Sequence, residues 1–298
     1  MTKVGHHMIE KNPQVLSDKR AVGLVCKPGR PLMSKTAEAL VEILLEQNIE
    51  VQVDVGSCKR THEKCTPTAI SDMDVDFIIT IGGDGTILYT LTQLEDRETP
   101  LFCVNRGTVG FMTESSTTAA PGVLKRILEN DCIIEKSVNL SSGVGERTFE
   151  DALNEVYVVS KIPGRLLTFK ITVDGIQIDY GRADGAMLST PTGSSAYSLA
   201  AGGSILTPNV HGLIFVPVCP PRFELKSMVI PDDGLLEMEL VKKGAHGLAV
   251  IDGQAQFDVK PHETVWIKKS EGVTRFLRLR ENYYERLNTR LIPRKQQV

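Results

Sequence analysis

The stretch that decides the fold is FIITIGGDGT, at residues 77–86. Residues 77–81 form a short apolar run that ends directly in glycines, and apolar residues then recur at helical spacing over 87–94. This pattern predicts a buried strand, a glycine-rich turn and a helix in immediate succession. In open α/β sheets, ligands bind outside the carboxyl ends of the strands, so this junction is the first candidate for a binding site.

Asp84 stands among the three glycines of this turn. Glycines let the backbone approach an anionic ligand and adopt conformations that other residues resist, and the first N–H groups of the helix attract phosphate. A carboxylate would repel phosphate, so we expect Asp84 to act as a base toward an attacking hydroxyl or to lie close to Mg²⁺. The alternative is a plain Asp-Gly turn that caps the helix, with Thr86 in its first turn.

Strands and helices alternate on both sides of this junction, up to residue 132. Ser34 is placed to cap the first helix. The predicted strands cover residues 21–26, 49–55, 77–81 and 101–104, and the predicted helices cover 34–45, 87–94 and 122–129. This alternation favours an α/β domain with a mostly parallel sheet covered on both faces. The basic loop at residues 27–31 is either a cation source for a nucleotide or an ordinary βα connection.

The following region, residues 133–274, consists of short β-rich runs separated by Gly, Pro and Asp turns. The predicted strands cover residues 167–173, 186–189, 213–216, 235–241 and 264–267. Asp174-Gly175 and Asp252-Gly253 are hairpin-type turns. We therefore predict three parts: an α/β nucleotide domain over 1–132, an all-β, sandwich-like domain over 133–274 with one helix after Gly193, and a basic tail over 275–298. The tail is either a solvated helix or packs back on the first domain.

Composition excludes several classes of protein. The chain has 298 residues, of which 41% are hydrophobic, and a formal net charge of −3, so no global basic field indicates nucleic acid or membrane as a partner. The longest apolar run, residues 213–218, is far too short to span a bilayer. The first 14 residues do not resemble a secretion signal. We expect a soluble, cytoplasmic protein.

The six cysteines are scattered, and several lie in apolar runs where a thiol behaves as a small core residue. Cys58, His62 and Cys65 cluster, but they have neither a fourth ligand nor standard zinc spacing. We therefore predict reduced cysteines and no metal site formed by the protein alone.

Two nucleotide-binding signatures are missing from the sequence. There is no Gly-x-x-x-x-Gly-Lys-Ser/Thr loop and no Gly-x-Gly-x-x-Gly at the first helix, which excludes a P-loop NTPase and argues against an ordinary nicotinamide dehydrogenase. A phosphoryl-transfer enzyme of this kind must neutralise charge with backbone amides, Mg²⁺ and remote cations.

Taken together, five motifs resemble the NAD kinase family. They are GGDGT at 82–86, NRGTVGF at 105–111, LNEV at 153–156, STPTGSSAYS at 189–198 followed by AGG at 201–203, and DGQ at 252–254. GGDGT alone is shared with diacylglycerol, sphingosine and 6-phosphofructo-kinases. Since the motifs follow the family's order from residue 21 to the tail, the resemblance covers nearly the whole chain.

The resemblance implies an enzyme that transfers a phosphoryl group from ATP, with Mg²⁺ or another divalent cation, to the 2′-hydroxyl of the adenosine ribose of NAD. It also implies a homodimer or homotetramer, and it leaves polyphosphate open as a donor. Asp84 would be the catalytic residue. The residues expected to contact the nucleotides are Gly82, Gly83, Gly85, Thr86, Asn154, Glu155, Arg182, Asp184, Thr192, Ser195, Ala196 and Tyr197.

Some of these residues carry specific expectations. Asn154 suits an adenine edge and Glu155 the paired hydroxyls of a ribose. Tyr197 either stacks on a base or bonds a phosphate, or else is a buried helix tyrosine. Arg182 either accompanies a preference for NAD over NADH or is a surface cation, and Ser195 stands where the family usually has threonine.

Two rival functions remain open at this point. One is a related kinase that acts on a lipid or a sugar, although no apolar entry for acyl chains is found. The other is a nucleotide sensor that has lost catalysis, although Asp84 and its glycines are retained.

Overall fold

A computed structural model of the protein describes residues 8–29, 34–57, 62–107, 110–221, 224–242 and 246–290. The chain divides into two compact units. The α/β unit consists of Met8–Lys136 and the segment from Thr274 onward, and the β unit contains Ser137–Val273. The divisions fall at 136/137 and 273/274, beside the predicted 132/133 and 274/275. Arg30 and Pro31 of the basic loop, Cys58 and the tail beyond residue 290 lie outside the described residues.

The α/β unit begins with seven strands and three helices. They are β1 (Met8–Lys11), β2 (Ala21–Cys26), α1 (Lys35–Glu46), β3 (Glu50–Asp54), β4 (Thr66–Thr68), β5 (Phe77–Gly82), α2 (Asp84–Gln93), β6 (Leu101–Asn105), β7 (Ser115–Ser116) and α3 (Ala120–Leu128). A parallel sheet runs in the order β6-β5-β2-β3-β4, with β7 also parallel to β6. The predicted parallel α/β architecture is confirmed.

Helix α1 forms for the predicted reasons. The Ser34 hydroxyl accepts a 3.3 Å hydrogen bond from the N–H of Ala37, which satisfies one of the free donors of the first turn. The helix buries four apolar side chains at helical spacing, namely Ala37, Leu40, Val41 and Leu44. Burial of a leucine of this kind contributes about 1.5–3 kcal/mol, so the apolar face fixes α1 against the sheet.

The β unit contains most of the remaining strands. The elements after α3 are β8 (Ile133–Val144), β9 (Arg147–Thr148), β10 (Glu155–Ser160), β11 (Leu167–Val173), β12 (Ile176–Ala183), β13 (Gly185–Ser189), α4 (Tyr197–Ala200), β14 (Gly212–Val218), β15 (Met228–Pro231), β16 (Leu236–Leu240), β17 (Gly247–Ile251), β18 (Ala255–Val259), β19 (Thr264–Arg278) and α5 (Tyr283–Arg290). Strands β8 and β19 each run from one unit into the other along the chain, and α5 belongs to the α/β unit.

Two antiparallel sheets build the β unit, in the orders β12-β11-β16-β19 and β15-β14-β13-β10-β17-β18. Side chains from both sheets share one core, for example Phe169 and Met238 from the first sheet with Val158 and Phe215 from the second. The predicted sandwich-like domain is therefore confirmed.

Both predicted Asp-Gly turns close hairpins. Asp174 and Gly175 have φ of +51° and +78°, and Asp252 and Gly253 have φ of +50° and +67°. Aspartate tolerates this left-handed conformation and glycine adopts it freely. The turns join β11 to β12 and β17 to β18.

Some predicted boundaries are wrong. The strand predicted over 264–267 continues to Arg278 as β19. The prediction ended too early because the next residues are polar and show no strand pattern, although their backbone remains extended. Helix α3 begins at Ala120 rather than at residue 122, because Pro121 fits the first helical turn. None of the helices in the described ranges is long and apolar enough to cross a membrane.

Candidate active site

Asp84 is the first residue of α2, at the carboxyl end of β5, and it is half-buried. The N-cap residue of α2 is Gly83, so the Asp84 carboxylate does not occupy the capping position. Oδ2 instead accepts the N–H of Phe111 at 2.9 Å, and Oδ1 accepts the N–H of Met112 at 3.1 Å. Asp84 is therefore not the plain helix cap that was the alternative interpretation.

The glycines around Asp84 are important because they lack a Cβ atom, and not because they adopt unusual torsion angles. None of the three has a left-handed φ, so the expectation that they adopt conformations other residues resist is wrong. A Cβ at Gly82 would lie 2.0 Å from Oγ1 of Thr86, whereas a Cβ at Gly83 or Gly85 would meet no described atom within 4 Å. Gly82 is required by close packing, and the other two leave open space above the turn.

The NRGTVGF motif, which begins at the last residue of β6, contacts this turn. Gly82 pairs with Asn105 across the sheet, and the carbonyl of Gly82 accepts the N–H of Arg106 at 2.8 Å. Thr108 and Val109 of the motif lie outside the described residues. The motif then reaches Phe111, which binds Asp84.

In the β unit, the Asp252 turn holds the segment that contains Asn154 and Glu155. The Asp252 carboxylate accepts the backbone N–H groups of Leu153 at 2.7 Å, Asn154 at 2.8 Å and Glu155 at 3.0 Å. The N–H of Asp252 donates in return to the carbonyl of Glu155 at 3.1 Å. Two motifs that are about 100 residues apart thus form one hydrogen-bonded structure.

The Thr/Gly-rich elbow, residues 190–197 from the end of β13 to the start of α4, is hydrogen-bonded to the same segment. The carbonyl of Asn154 accepts the N–H of Thr190 at 2.9 Å, and the Thr190 hydroxyl donates to the carbonyl of Leu153 at 2.6 Å. The same hydroxyl accepts the N–H of Gly193 at 3.0 Å. A Cβ at Gly193 would lie 2.0 Å from the carbonyl oxygen of Asn154, so only glycine permits this approach.

Glu155 is an ionisable group with little to neutralise it. The residue is buried, and Oε2 has no hydrogen-bond partner within the described chain. Burial, and secondarily the charge of Asp252, raises the pKa of Glu155 to about 8. A buried polar atom without a partner is costly, and perturbed groups of this kind cluster at functional sites.

Tyr197 is 43% exposed, so it is not the buried helix tyrosine of the alternative interpretation. Its ring lies edge-on to Tyr157, with the centroids 5.3 Å apart. Burial, and then the neighbouring Tyr197, raises the pKa of Tyr157. A Cβ at Gly185 would lie 2.5 Å from the Tyr157 ring. Sequence reasoning missed Tyr157, since a tyrosine within a strand pattern carries no distinguishing signal.

The remaining elbow residues are accessible. Thr192, Ser195 and Ala196 are half-buried. The Ser195 hydroxyl donates to the carbonyl of Thr192 at 2.9 Å, and the N–H of Ala196 donates to the carbonyl of Gly193 at 2.8 Å. A serine in place of the usual threonine therefore keeps the hydroxyl that this turn uses.

Asp184 and Arg182 lie toward the other end of β10 from Glu155. The carbonyl of Asp184 accepts the N–H of Ser160 at 3.1 Å, and Ser160 is roughly 16 Å from Glu155 along the strand. The Arg182 guanidinium forms a bidentate ion pair with Glu224, at 2.8 and 3.2 Å. The structure thus brings Asn154, Glu155 and the elbow together. Asp184 lies away from Glu155 but close enough to Tyr157, the neighbour of Tyr197, for its charge to add to the effect of burial in raising the pKa of Tyr157, whereas Arg182 is paired with Glu224.

None of the cysteines that the structure describes forms a disulfide. Four are buried and Cys219 is exposed. Burial raises the pKa of the Cys103 thiol to about 12, which makes it a core residue rather than a nucleophile. Across the described ranges, no three His, Cys, Asp or Glu side chains are grouped so as to hold a metal ion.

Two domains of one known protein family match this chain. The ATP-NAD kinase N-terminal domain matches residues 22–132, and the ATP-NAD kinase C-terminal domain matches residues 153–279. The NAD kinase of Methanothermobacter thermautotrophicus is 34% identical over 272 residues, which cover 91% of this chain and 96% of that protein. The NAD kinase of Thermococcus sibiricus is 33% identical, with 90% and 98% covered.

Solved structures show the same fold. The crystal structure of an NAD kinase from Archaeoglobus fulgidus in complex with ATP has a TM-score of 0.75 and 27% identity, and covers 90% of this chain and 99% of that one. Yeast NADH kinase complexed with NADH has a TM-score of 0.80 at 21% identity, with 94% and 89% covered. The predicted family is confirmed: this chain belongs to the NAD kinase family.

Proposed function

We propose that this chain transfers the γ-phosphoryl group of ATP to the 2′-hydroxyl of the adenosine ribose of NAD, and so produces NADP. The observation that carries the proposal is the match to NAD kinases over about nine-tenths of the chain, in a protein that keeps Asp84 at the end of β5. This match favours NAD over a lipid or a sugar as the acceptor. The retained acid favours an active enzyme over a sensor.

Asp84 is the proposed base. Each carboxylate oxygen accepts one backbone N–H, and a carboxylate oxygen has a further lone pair for the ribose hydroxyl. The 2′-hydroxyl would give its proton to Asp84 as its oxygen attacks phosphorus, and ADP would leave on the opposite side. General-base assistance of this kind is typically worth about 10²–10⁴-fold.

The turn at Gly83 and Gly85 is the proposed site for the donor phosphates. Helix α2 is ten residues long and has no side-chain cap. The N–H of Thr86 donates to the carbonyl of Gly83 at 2.9 Å, which leaves the N–H groups of Asp84 and Gly85 without a partner in the helix. Those groups and the positive end of the helix dipole attract phosphate. The space above both glycines is open to a ligand.

Mg²⁺ is proposed to enter with ATP. Within the described residues, no three metal-binding side chains are grouped together. The site therefore suits a Mg²⁺ ion that is bound chiefly by phosphate oxygens and water, with Asp84 as the adjacent carboxylate. When bound, the ion supplies charge stabilisation to the transferring phosphoryl group. The protein's own contribution is the alignment of the two substrates.

The segment at Asn154 and Glu155 is the proposed NAD site, together with the elbow at 190–197. The Asn154 amide reads an adenine edge and Glu155 binds ribose hydroxyls, which would replace the missing partner of its Oε2. Tyr197 is exposed and held edge-on by Tyr157, so its free face suits stacking on a ring. Asp184, on the Tyr157 side of the elbow, is proposed as a further contact to the dinucleotide, and Arg182 as a charged residue that accompanies preference for NAD.

The test is an assay for NADP coupled to an NADP-specific dehydrogenase, run on NAD and NADH with ATP or polyphosphate as the donor. Formation of NADP from NAD and ATP supports the proposal, and its absence under all donors overturns it. We also propose that the enzyme is a cytoplasmic homodimer or homotetramer. Light scattering during size exclusion measures the oligomeric state.

A further inference from the structure

Four buried charged side chains form a cluster next to the backbone that holds Asp84. They are Arg278, Arg286, Glu114 and Glu135, whose side chains are each at most 6% exposed. Nη2 of Arg286 lies 3.1 Å from Oε1 of Glu135, and Nη2 of Arg278 lies 3.3 Å from the same oxygen. Nη1 of Arg278 lies 3.6 Å from Glu114. The two arginines and two glutamates balance in charge, which allows all four to be buried.

Met112 links this cluster to Asp84. Nη1 of Arg278 donates a 2.7 Å hydrogen bond to the carbonyl of Met112. The N–H of the same Met112 donates to Oδ1 of Asp84 at 3.1 Å, and Phe111 donates to Oδ2 at 2.9 Å. The guanidinium therefore fixes the backbone segment on one side, and the segment holds the carboxylate on the other.

Helix α5 supports the same segment from a second direction. The Phe111 ring meets Tyr283 edge-on, with the centroids 5.6 Å apart. The Arg286 guanidinium lies 6.0 Å from the centre of the Phe111 ring while it binds Glu135. Burial, and then the charge of Arg278, lowers the pKa of Arg286 to about 10. The cluster and the aromatic contacts thus both act on residues 111 and 112.

A buried ion cluster is not explained by stability alone, because well-packed apolar residues of similar volume are often as stable or more so. A hydrogen bond from a guanidinium has a fixed direction, so it can orient a backbone carbonyl. Apolar side chains cannot do this. A misplacement of about 1 Å at a reacting group can cost about 10²-fold in rate. Fixing Met112 is therefore a use that matches the geometry.

We propose that Arg278 is a positioning residue for phosphoryl transfer. It holds the carbonyl of Met112 so that the N–H groups of Phe111 and Met112 keep the Asp84 carboxylate oriented toward the ribose hydroxyl. This inference rests on the proposed role of Asp84 as the base.

The test compares Arg278→Lys with Arg275→Lys. Lysine keeps the positive charge, but its single ammonium group cannot reproduce the two directed hydrogen bonds that the planar guanidinium makes to Met112 and Glu135. Arg275 is the matched control, because it lies in the same strand three residues earlier and pairs with Glu98 instead. We expect Arg278→Lys to lower kcat about 10- to 100-fold with KM for ATP and NAD within about twofold. Arg275→Lys should change neither.

Amide hydrogen exchange in the ligand-free protein provides a readout that a purely structural role would not move. The amides of Phe111 and Met112 should exchange at least about 10-fold faster in Arg278→Lys, while the strands β2 and β5 keep their protection. If Arg278→Lys does not fold, Arg286→Lys replaces it, with the same selective exchange expected for the Phe111 amide.

Three results would overturn the inference: an unchanged kcat in a folded Arg278→Lys protein, unchanged exchange of the two amides, or an equal loss of kcat in Arg275→Lys. Failure of the proposed function looks different. Absence of NADP formation by the wild-type enzyme, or a normal kcat in Asp84→Asn, removes the role of Asp84. The exchange comparison then still decides whether Arg278 holds residues 111 and 112.

Discussion

The carboxylate of Asp252 accepts a 2.8 Å hydrogen bond from the backbone N–H of Asn154, although 98 residues separate the two in the chain. The same carboxylate binds the N–H groups on both sides of Asn154. One turn residue therefore aligns the whole start of β10, where the proposed NAD site begins. The shape of this site therefore depends on a residue that need not touch the substrate.

Replacing Asp252 with asparagine should weaken NAD binding. The amide has one acceptor oxygen and no charge, so it cannot serve all three N–H donors, and a hydrogen bond to a charged group is worth about 1.5–3 kcal/mol. We expect KM for NAD to rise about 10-fold and Tm to fall. Initial rates and thermal melts measure both quantities.

Asp174→Asn is the matched control for that substitution. Asp174 occupies the same left-handed turn position, and its side chain accepts the N–H of Leu235. Asparagine tolerates this conformation as well as aspartate does. Equal effects of the two substitutions on KM would contradict the anchoring role of Asp252.

Glu155 should make stability depend on pH. Its folded pKa of about 8 lies above the ordinary glutamate pKa of 4.5, so the folded state binds the proton more tightly than the unfolded state. Folding stability from this group is therefore complete below pH 4.5 and is lost as the pH rises to about 8. The glutamine of Glu155→Gln does not titrate. As the pH rises across this range, the free energy of unfolding of Glu155→Gln should therefore increase relative to that of the wild type by up to about 1.4 kcal/mol per pH unit.

Urea unfolding of the ligand-free protein between pH 5 and pH 9 measures this difference. The exposed Glu150 supplies the control, since Glu150→Gln should give a profile parallel to the wild type. A Glu155→Gln profile that is also parallel would show that Glu155 does not titrate with a raised pKa.

Asp84→Asn should lower kcat about 10²–10⁴-fold and leave NAD binding largely intact. The structure adds that asparagine can accept only one of the two N–H groups of Phe111 and Met112 through its oxygen. Coupled assays and calorimetric titration with NAD separate turnover from binding. Asp96→Asn, on the exposed turn after α2, is the control, and a near-normal kcat in Asp84→Asn would refute the base assignment.

Gly82→Ala and Gly83→Ala should fail in different ways. A methyl at Gly82 would lie 2.0 Å from Oγ1 and 2.7 Å from Cβ of Thr86, so we expect a loss of about 1–3 kcal/mol in stability. A methyl at Gly83 meets no described atom, so Tm should hold while KM for ATP rises about 10-fold, because the methyl fills the proposed phosphate space. Melting curves and ATP titrations distinguish the two, and a normal KM in Gly83→Ala would place the phosphates elsewhere.

Local signals predicted much of the fold. Helix α1 with its Ser34 cap, strand β5 and strand β11 appear where their patterns place them, because each carries its own periodicity and end signals. Strand β19 was predicted only as far as Ile267. Its middle residues, KKSEG at 268–272, are polar, and only pairing with neighbouring strands reveals that the extended backbone continues.

The site was predictable as a set of residues but not as a set of contacts. Motifs supplied Asp84, Asn154 and Glu155, since their residue types match the chemistry. The hydrogen bonds that hold them come from Asp252 and, through Met112, from Arg278. Such partners lie about 100 to 170 positions away along the chain, and neither residue spacing nor local composition indicates which distant side chain will meet which backbone group.

The discontinuous α/β unit has a consequence for synthesis. Glu135 leaves the ribosome 143 residues before Arg278 and 151 residues before Arg286, so its carboxylate has neither arginine partner while the β unit is being made. The unit that carries Asp84 therefore reaches its final form only after nearly all of the chain has emerged. A nascent chain interrupted before β19 is complete would lack both arginines of the cluster and the strand that pairs with β6 at Leu101, and exposed strand edges of this kind make an unfinished chain prone to aggregate.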